Sequence, residues 1–240
     1  AAPNTTTFAQ AGVTGVDSAN LAAIQSALAS TAITGTLADS TTELQTLVDA
    51  YKKILAEANG SAVDTTTNDP TVADYQAIGV SLGAIATHSS GLALLNDSLG
   101  AQTTAGVDNV GEINTLAATV NSLITTAAGG TGSPVLMAAD LALLGVSGLS
   151  DPAMGIFLQL VAVTTDDGSG VASLIQLQSL ADTAMARANA LTTIASYAQA
   201  NAAVSGLSVP TATTFQTAGV TLPTLASLNS SQVAAALNSA

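Results

Sequence analysis

Apolar residues recur along this chain at spacings of three and four, which is the periodicity of amphipathic α-helices. One stripe contains Leu44, Leu47, Val48 and Tyr51. It follows Ser40-Thr41-Thr42-Glu43, which has the spacing of a helix-capping box. The pattern predicts a long helix that begins just after Ser40.

This helical segment is repeated. Glu43-Leu44-Gln45-Thr46-Leu47 is followed 69 residues later by Glu112-Ile113-Asn114-Thr115-Leu116, and Gln176-Leu177-Gln178-Ser179-Leu180 comes 133 residues after the first copy. Self-similarity at a period of about 70 residues indicates an array of like modules. Each copy reads as a helix cap followed by core positions of the third helix of a module.

A second repeated segment begins each module with Pro and closes with Gly-Val. Its copies span residues 3–13, 70–80, 134–146 and 210–220. Each copy predicts a short helix with Pro in its first turn and Gly in the left-handed conformation at its end. Phe8, Tyr75 and Phe215 occupy the same place in three copies, so we expect them to be core residues.

Between these two segments, apolar stripes predict a second helix in each module. The first such helix is expected from about Asp17 to Ser30, and Asp17, His88 and Ser150 stand at or near the expected N-caps. In the third module, the pattern from about Val171 continues to Ala200 without Gly or Pro, which predicts a longer third helix.

The sequence therefore predicts an all-α protein, built as a tandem array of small three-helix bundle modules of which the last is incomplete. The expected modules are residues 1–69, 70–133, 134–206 with a long third helix, and 207–240 with the first two helices only. A lone unit of this size buries a marginal core, and stacking against neighbours adds apolar contact.

The order of a short helix ending in Gly-Val, a second apolar-striped helix, a variable loop and a third helix with Leu-x-x-Leu/Val spacing resembles the GA module. GA modules are three-helix albumin-binding units of bacterial surface proteins, and similar Ala/Thr-rich repeats occur in large secreted adhesins. The resemblance implies a contact surface around helix two and its loops. In this chain that surface corresponds to Asn20, Gln25 and residues 31–39.

Composition narrows the class of protein. Charged residues make up only 8% of the chain, and sixteen acids against three bases give a net charge of −13. A nucleic-acid surface needs clustered Lys and Arg, so that class is excluded, and binding to an anionic membrane surface is disfavoured. The chain has no cysteine and no run of about 20 apolar residues. The acidic, Thr/Ser-rich balance and the opening Ala1-Ala2-Pro3 favour a secreted cell-surface protein.

Two kinds of stretch in the sequence contain residue types that could support catalysis or metal binding. Gly79-Val80-Ser81-Leu82-Gly83 spells the nucleophile elbow G-x-S-x-G, and the single histidine, His88, follows it. That elbow needs a preceding strand, whereas here a helix is predicted, so we expect a structural role.

Residues 166–170, and Asp64 with Asp69, offer oxygen ligands for Ca²⁺ but lack the EF-hand spacing. We therefore expect no catalytic, cofactor-binding or resident metal site.

Only caps and core positions repeat, and no reactive residue does. This pattern favours a non-enzymatic extracellular structural protein, such as a stalk, matrix or self-assembling filament component. The alternative is an adhesin module that binds a host or matrix protein. Expected partners are copies of the chain itself, or neighbouring repeats joined through the incomplete module 207–240, or a host or matrix protein. Membrane insertion is not expected.

Overall fold

A computed structural model describes residues 2–61, 69–199 and 207–220. This part of the chain contains ten α-helices, four short 3-10 turns and no strand, apart from an isolated bridge between Asn59 and Thr103. The prediction of an all-α protein is therefore confirmed for the described residues.

The helices follow a recurring order of short helix, longer helix, 3-10 turn and long helix. They are α1 (Thr5–Gln10), α2 (Leu21–Ala29), α3 (Thr41–Glu57), α4 (Val72–Ala77), α5 (Ser89–Gly100), α6 (Val110–Ala127), α7 (Ala138–Leu144), α8 (Asp151–Ala162), α9 (Leu174–Gln199) and α10 (Ala212–Thr217). We call α1–α3, α4–α6 and α7–α9 the first, second and third repeats. The shared 3-10 turns are Gly35–Leu37, Thr104–Gly106 and Ser169–Val171, and the second repeat has an additional turn, Gly83–Thr87.

The chain divides into two compact units. Among the described residues, one contains residues 2–61, 69–147 and 161–178, and the other contains residues 148–160, 179–199 and 207–220. The module boundaries predicted near residues 69, 133 and 206 stay a prediction. The expectation of an incomplete fourth module falls largely on residues 221–240, which lie outside the described part of the chain.

The predicted Gly-Val helix ends are confirmed in all four copies. Gly12, Gly79, Gly145 and Gly219 have φ angles of 79°, 86°, 111° and 88°. Each following Val donates its N–H to the carbonyl five residues back, as Val13 does to Phe8 at 2.9 Å. This is the Schellman arrangement, which satisfies carbonyls that the helix end leaves free.

The predicted position of Pro in the first turn of these helices is wrong. Pro3, Pro70 and Pro210 each precede the N-cap residue, and Pro134 lies still further from α7. The side chains decide the start instead, because Asn4, Thr71 and Thr211 accept hydrogen bonds from the first-turn N–H groups.

The start of the second helix also differs from the prediction. α2 begins at Leu21, because Asp17 caps a preceding turn by accepting from the N–H groups of Ala19 and Asn20. His88 is the N-cap residue of α5 but its side chain makes no capping bond, and Ser150 directs its hydroxyl to Met185 Sδ at 3.3 Å. The predicted capping box Ser40–Glu43 is confirmed, and Asn109 with Glu112 forms the equivalent box at the start of α6.

The core contains aliphatic side chains with few aromatic rings, since aromatic residues make up only 2% of the sequence. Phe8 and Tyr75 are buried, and Leu141 occupies the equivalent buried position in the third repeat. Phe215, which was expected to match them, is half-buried. The largest fully buried side chains in the first compact unit include Tyr51, Tyr75, Ile24, Leu47, Ile54, Ile78, Leu94, Leu95 and Ile113.

Candidate functional site

A side-chain amide on the long helix of each repeat holds the backbone that follows the Gly-Val helix end. Thr14 donates its N–H to Gln45 Oε1 at 2.8 Å, and Gln45 Nε2 donates to the Thr14 carbonyl at 3.2 Å. Ser147 and Gln178 repeat both bonds at 2.9 and 3.0 Å. The amide thus replaces the backbone partner that this loop residue would have in regular structure.

The second repeat keeps half of this arrangement. Ser81 donates its N–H to Asn114 Oδ1 at 2.9 Å. The shorter Asn side chain makes the first bond of the pair, and no second bond to Ser81 is recorded among the described residues. A side-chain amide therefore recurs at one position of the long helix in all three repeats, because it ties the short helix to the long one.

A second recurring contact joins each repeat to the next. Ser26 Oγ, on α2, accepts a hydrogen bond of 3.1 Å from the backbone N–H of Val110, the first residue of α6. Asp97 Oδ2, on α5, accepts a hydrogen bond of 3.1 Å from the N–H of Leu174, the first residue of α9. First-turn N–H groups have no partner within their own helix, so a side chain of the preceding repeat satisfies them.

A further polar contact is shared by the first and second repeats. Gln25 Nε2 donates to the Pro3 carbonyl at 2.7 Å, and Asn96 Nδ2 donates to the Pro70 carbonyl at 3.0 Å. Asn96 also accepts from the buried Tyr75 hydroxyl at 2.7 Å. Pro3 and Pro70 therefore each contribute a carbonyl acceptor in front of a short helix, in place of the first-turn role predicted for them.

The joint between the first and second repeats also contains a buried tyrosine. The Tyr51 hydroxyl, on α3, donates to the Val107 carbonyl at 3.1 Å. Both residues are fully buried. Burial raises the pKa of Tyr51 to about 12, and burial also raises the pKa of Tyr75 well above its ordinary value.

Two surface grooves occupy equivalent places where one repeat meets the next. The first, of about 210 Å³, is lined by Ile33, Leu37, Thr42, Glu43, Thr46, Gln76 and Ala77. The second, of about 350 Å³, is lined by Gln102, Gly106, Glu112, Thr115, Leu116 and Leu143. Each is bounded by a 3-10 turn, the start of a long helix and the end of the next short helix. Leu37 and Leu143 are 52% and 50% exposed there.

Carboxylates lie at the helix start beside each groove. A hydrogen bond with Glu43 and repulsion from its charge raise the pKa of Asp39, whereas the hydrogen bond from Ser40 lowers the pKa of Glu43. Asp108 and Glu112 occupy the same two positions in the second repeat. Each groove therefore offers an apolar side chain beside an acidic helix start.

The serine motif lies in a surface loop. Gly79 closes helix α4, and the exposed Ser81 gives its backbone N–H to Asn114. His88 Nδ1 lies 2.9 Å from the Ala84 carbonyl, which can only accept, so this nitrogen carries the proton. Among the described residues no hydrogen bond joins Ser81 to His88.

The acidic loop at residues 166–170 engages its own backbone. Asp167 Oδ1 accepts from the Ser169 N–H at 2.9 Å, and hydrogen bonds from Ser169 lower the pKa of Asp167 to about 2. No group of three metal-ligating side chains occurs within the described ranges. Asp64 lies outside those ranges, so the pairing of Asp64 with Asp69 is not described.

The positions that the GA resemblance implies for ligand contact are partly committed to the fold. Asn20 is buried, donates to the Gly15 carbonyl at 2.9 Å and accepts from the Asp17 N–H at 3.0 Å. Gln25 holds the Pro3 carbonyl. In the loop after α2, Leu37 is the exposed large apolar side chain.

Comparisons with known proteins give no relative: no family model matches the sequence, and neither a curated protein nor a solved structure matches the chain significantly. Within the described ranges, none of the helices combines the length and apolarity needed to span a bilayer.

Sequence reasoning treated the repeated segment at Glu43 as a cap and core stripe and missed its amide. The signal was present, because Gln45, Asn114 and Gln178 hold one amide-bearing position in three copies. The contacts of Ser26 and Asp97 gave no such signal, since a small hydroxyl and a carboxylate share only an acceptor oxygen.

Proposed function

We propose that this chain is a non-enzymatic structural protein of the cell exterior, a stalk, matrix or self-assembling filament component made of tandem three-helix modules similar to GA repeats. The observation that carries the proposal is the recurrence of the amide contact, formed by Gln45 with Thr14 and by Gln178 with Ser147. What recurs is the side-chain chemistry that connects helices. If the repeats shared a reactive site, its reactive side chains would recur at equivalent positions instead.

The surroundings of the serine motif support the non-enzymatic reading. A nucleophile elbow presents its Ser on a strand-to-helix turn next to a base. Here a helix precedes Ser81, and the protonated nitrogen of His88 faces a backbone carbonyl. An esterase-like alternative predicts labelling of Ser81 by a fluorophosphonate probe, and a labelled chain that loses its label in Ser81→Ala would contradict the proposal.

The extracellular assignment is tested on intact cells of the source organism. We expect added proteinase K to degrade the chain before lysis, as detected with an antibody against it, while a cytosolic marker protein stays intact. Trypsin is a poor choice, because the chain offers only Lys52, Lys53 and Arg187 for cleavage. Degradation of the chain only after lysis would contradict an exterior location.

The second candidate, an adhesin that binds a host or matrix protein, is favoured by the two equivalent grooves. Their exposed Leu37 and Leu143 beside acidic helix starts suit a partner segment with an apolar and a basic side chain. Immobilised chain should then retain a serum or matrix protein, and Leu37→Asp with Leu143→Asp should release it. If the immobilised chain retains neither a serum protein nor a matrix protein, this candidate is contradicted.

A further inference from the structure

The contact between repeats buries a defined set of residues at the start of the long helix. We call this the first-turn face. In the second and third repeats all of its residues are buried: Val107, Val110 and Ile113, and Val171, Leu174 and Leu177. The equivalent residues of the first repeat differ, since Thr41 is exposed and Ala38 and Leu44 are half-buried.

The other side of the contact is a face of the second helix, which we call the acceptor face. On α2, Ala23 and Ala27 are buried on either side of Ser26. On α5, Leu94 and Ser98 are buried on either side of Asp97. The acceptor face is thus closed in the two repeats that precede another long helix.

The third repeat presents an open acceptor face. Residues of α2 and α8 correspond at an offset of 133, the same offset that relates Gly12 to Gly145 and Gln45 to Gln178, so Ile156, Gln159 and Leu160 of α8 match Ala23, Ser26 and Ala27. Gln159 is exposed, and both Ile156 and Leu160 are half-buried. Gln159 carries a side-chain oxygen acceptor, as Ser26 and Asp97 do, and its apolar neighbours are larger than those of α2.

We propose that the acceptor face of α8 in one chain binds the first-turn face of α3 in a second copy of this chain. In this contact Gln159 Oε1 accepts from the Thr41 N–H, and Ile156 and Leu160 pack on Ala38 and Leu44. The contact continues the arrangement already made by Ser26 with Val110 and by Asp97 with Leu174. The inference rests on the proposed structural function, and it places the contact between copies on α8 instead of on residues 207–240.

The chemistry of the two faces suits a second copy of this chain as the partner. Among the described residues the Thr41 N–H has no hydrogen-bond partner, and the proposed contact supplies the one that Val110 and Leu174 have. No charged side chain takes part. Because the two faces differ from each other, the contact is heterologous and lets copies add head to tail. With a net charge of −13 per chain, association should strengthen as salt screens repulsion.

A matched pair of variants isolates the hydrogen bond. Thr41→Pro removes the N–H at the first helical position, where Pro is tolerated, and the preceding Ser40 already has the extended ψ of 154° that Pro favours. Thr41→Ala keeps the N–H and, like Pro, loses the hydroxyl bond to the Ala11 carbonyl. Leu160→Arg blocks the opposite face. Circular dichroism verifies that each variant is folded.

Sedimentation velocity of the full chain over a concentration series tests the proposal. We expect the wild-type chain and Thr41→Ala to form species beyond dimers, while Thr41→Pro shifts the midpoint concentration upward about tenfold and Leu160→Arg stays monomeric. In Leu160→Arg the face at Thr41 is intact, and in Thr41→Pro the face on α8 is intact. An equal mixture of the two should therefore stop at a heterodimer.

Two results would overturn the inference and are distinguishable from each other. Wild-type assembly that neither Thr41→Pro nor Leu160→Arg weakens would reject this interface while leaving a self-assembling structural function in place. If the wild-type chain stays monomeric at every concentration and salt, association of copies is rejected. The protease experiment on cells then tests the cell-exterior location independently.

Discussion

Gln45 pairs with Thr14 through both ends of its side-chain amide, with N–H to Oε1 at 2.8 Å and Nε2 to carbonyl at 3.2 Å. The same pair recurs as Gln178 with Ser147. A contact of this kind fixes the loop after the Gly-Val end against the long helix. The structure of each repeat therefore depends on an amide that the hydrophobic pattern does not contain.

Replacing Gln45 by Leu should lower the free energy of unfolding by about 1–2 kcal/mol, because both hydrogen bonds are lost and the Thr14 backbone loses its partner. Urea unfolding followed by circular dichroism measures the change. Gln10→Leu on the exposed side of α1 is the control and should stay within about 0.5 kcal/mol of wild type. Equal effects of the two substitutions would show that the amide contact is unimportant.

Tyr51→Phe removes the buried hydroxyl that joins α3 to the Val107 carbonyl of the second repeat. We expect a loss of about 1–3 kcal/mol, since the carbonyl remains buried without its donor. Tyr197→Phe is a matched control, because Tyr197 is also buried and its hydroxyl has no recorded partner among the described residues. A cost for Tyr197→Phe as large as that for Tyr51→Phe would argue against a specific joint.

Alkaline pH should destabilise the protein through its buried tyrosines. Burial raises the pKa of Tyr51 to about 12, above the unfolded value of about 10, so the unfolded chain releases the proton first. The contribution is fully present below about pH 10 and is lost as the pH rises toward about 12. Tyr75, whose pKa is also raised, acts in the same direction.

Chemical denaturation at a series of pH values between 9 and 11 checks this sign. The wild-type chain should lose stability across the series, and Tyr51→Phe should show a shallower slope because one titrating group is gone. A slope unchanged by both Tyr51→Phe and Tyr75→Phe would be incompatible with the proposed cause.

Gly79 has two reasons to be glycine, and substitution separates them. Its φ is +86°, and an added Cβ would lie 2.6 Å from Ser30 Oγ at the end of α2. Gly129 has a φ of +74° and no atom within 4 Å of such a Cβ. Gly129→Ala should cost about 1–2 kcal/mol from the left-handed conformation alone, and Gly79→Ala should cost clearly more. Thermal unfolding compares them, and equal costs would refute the close approach between repeats.

The helical class, the capping boxes and the Gly-Val ends could be predicted because they depend on local chemistry. Ser40 and Glu43 are three residues apart, and Gly12 lies next to the helix it ends. The prediction that places Pro3, Pro70 and Pro210 in the first helical turn is wrong, because the adjacent capping side chains, and not the general preference of Pro for first turns, decide where each helix begins.

The contacts between repeats could not be predicted from the same pattern. Ser26 and Val110 are 84 residues apart, and Asp97 and Leu174 are 77 apart. Nothing in either residue type identifies its partner, because many side chains can accept a hydrogen bond from a helix start. The open face on α8 is recognised only by comparing the burial of equivalent residues in three repeats.

Amide hydrogen exchange at the starts of the three long helices tests most directly the claim that each repeat satisfies the helix start of the next. First-turn N–H groups ordinarily exchange fast, because they lack a partner within the helix. For dilute, monomeric chain we predict slow exchange at Val110 and Leu174 and fast exchange at Thr41, which should become slow when the chains associate. Equally fast exchange at all three residues would contradict the account.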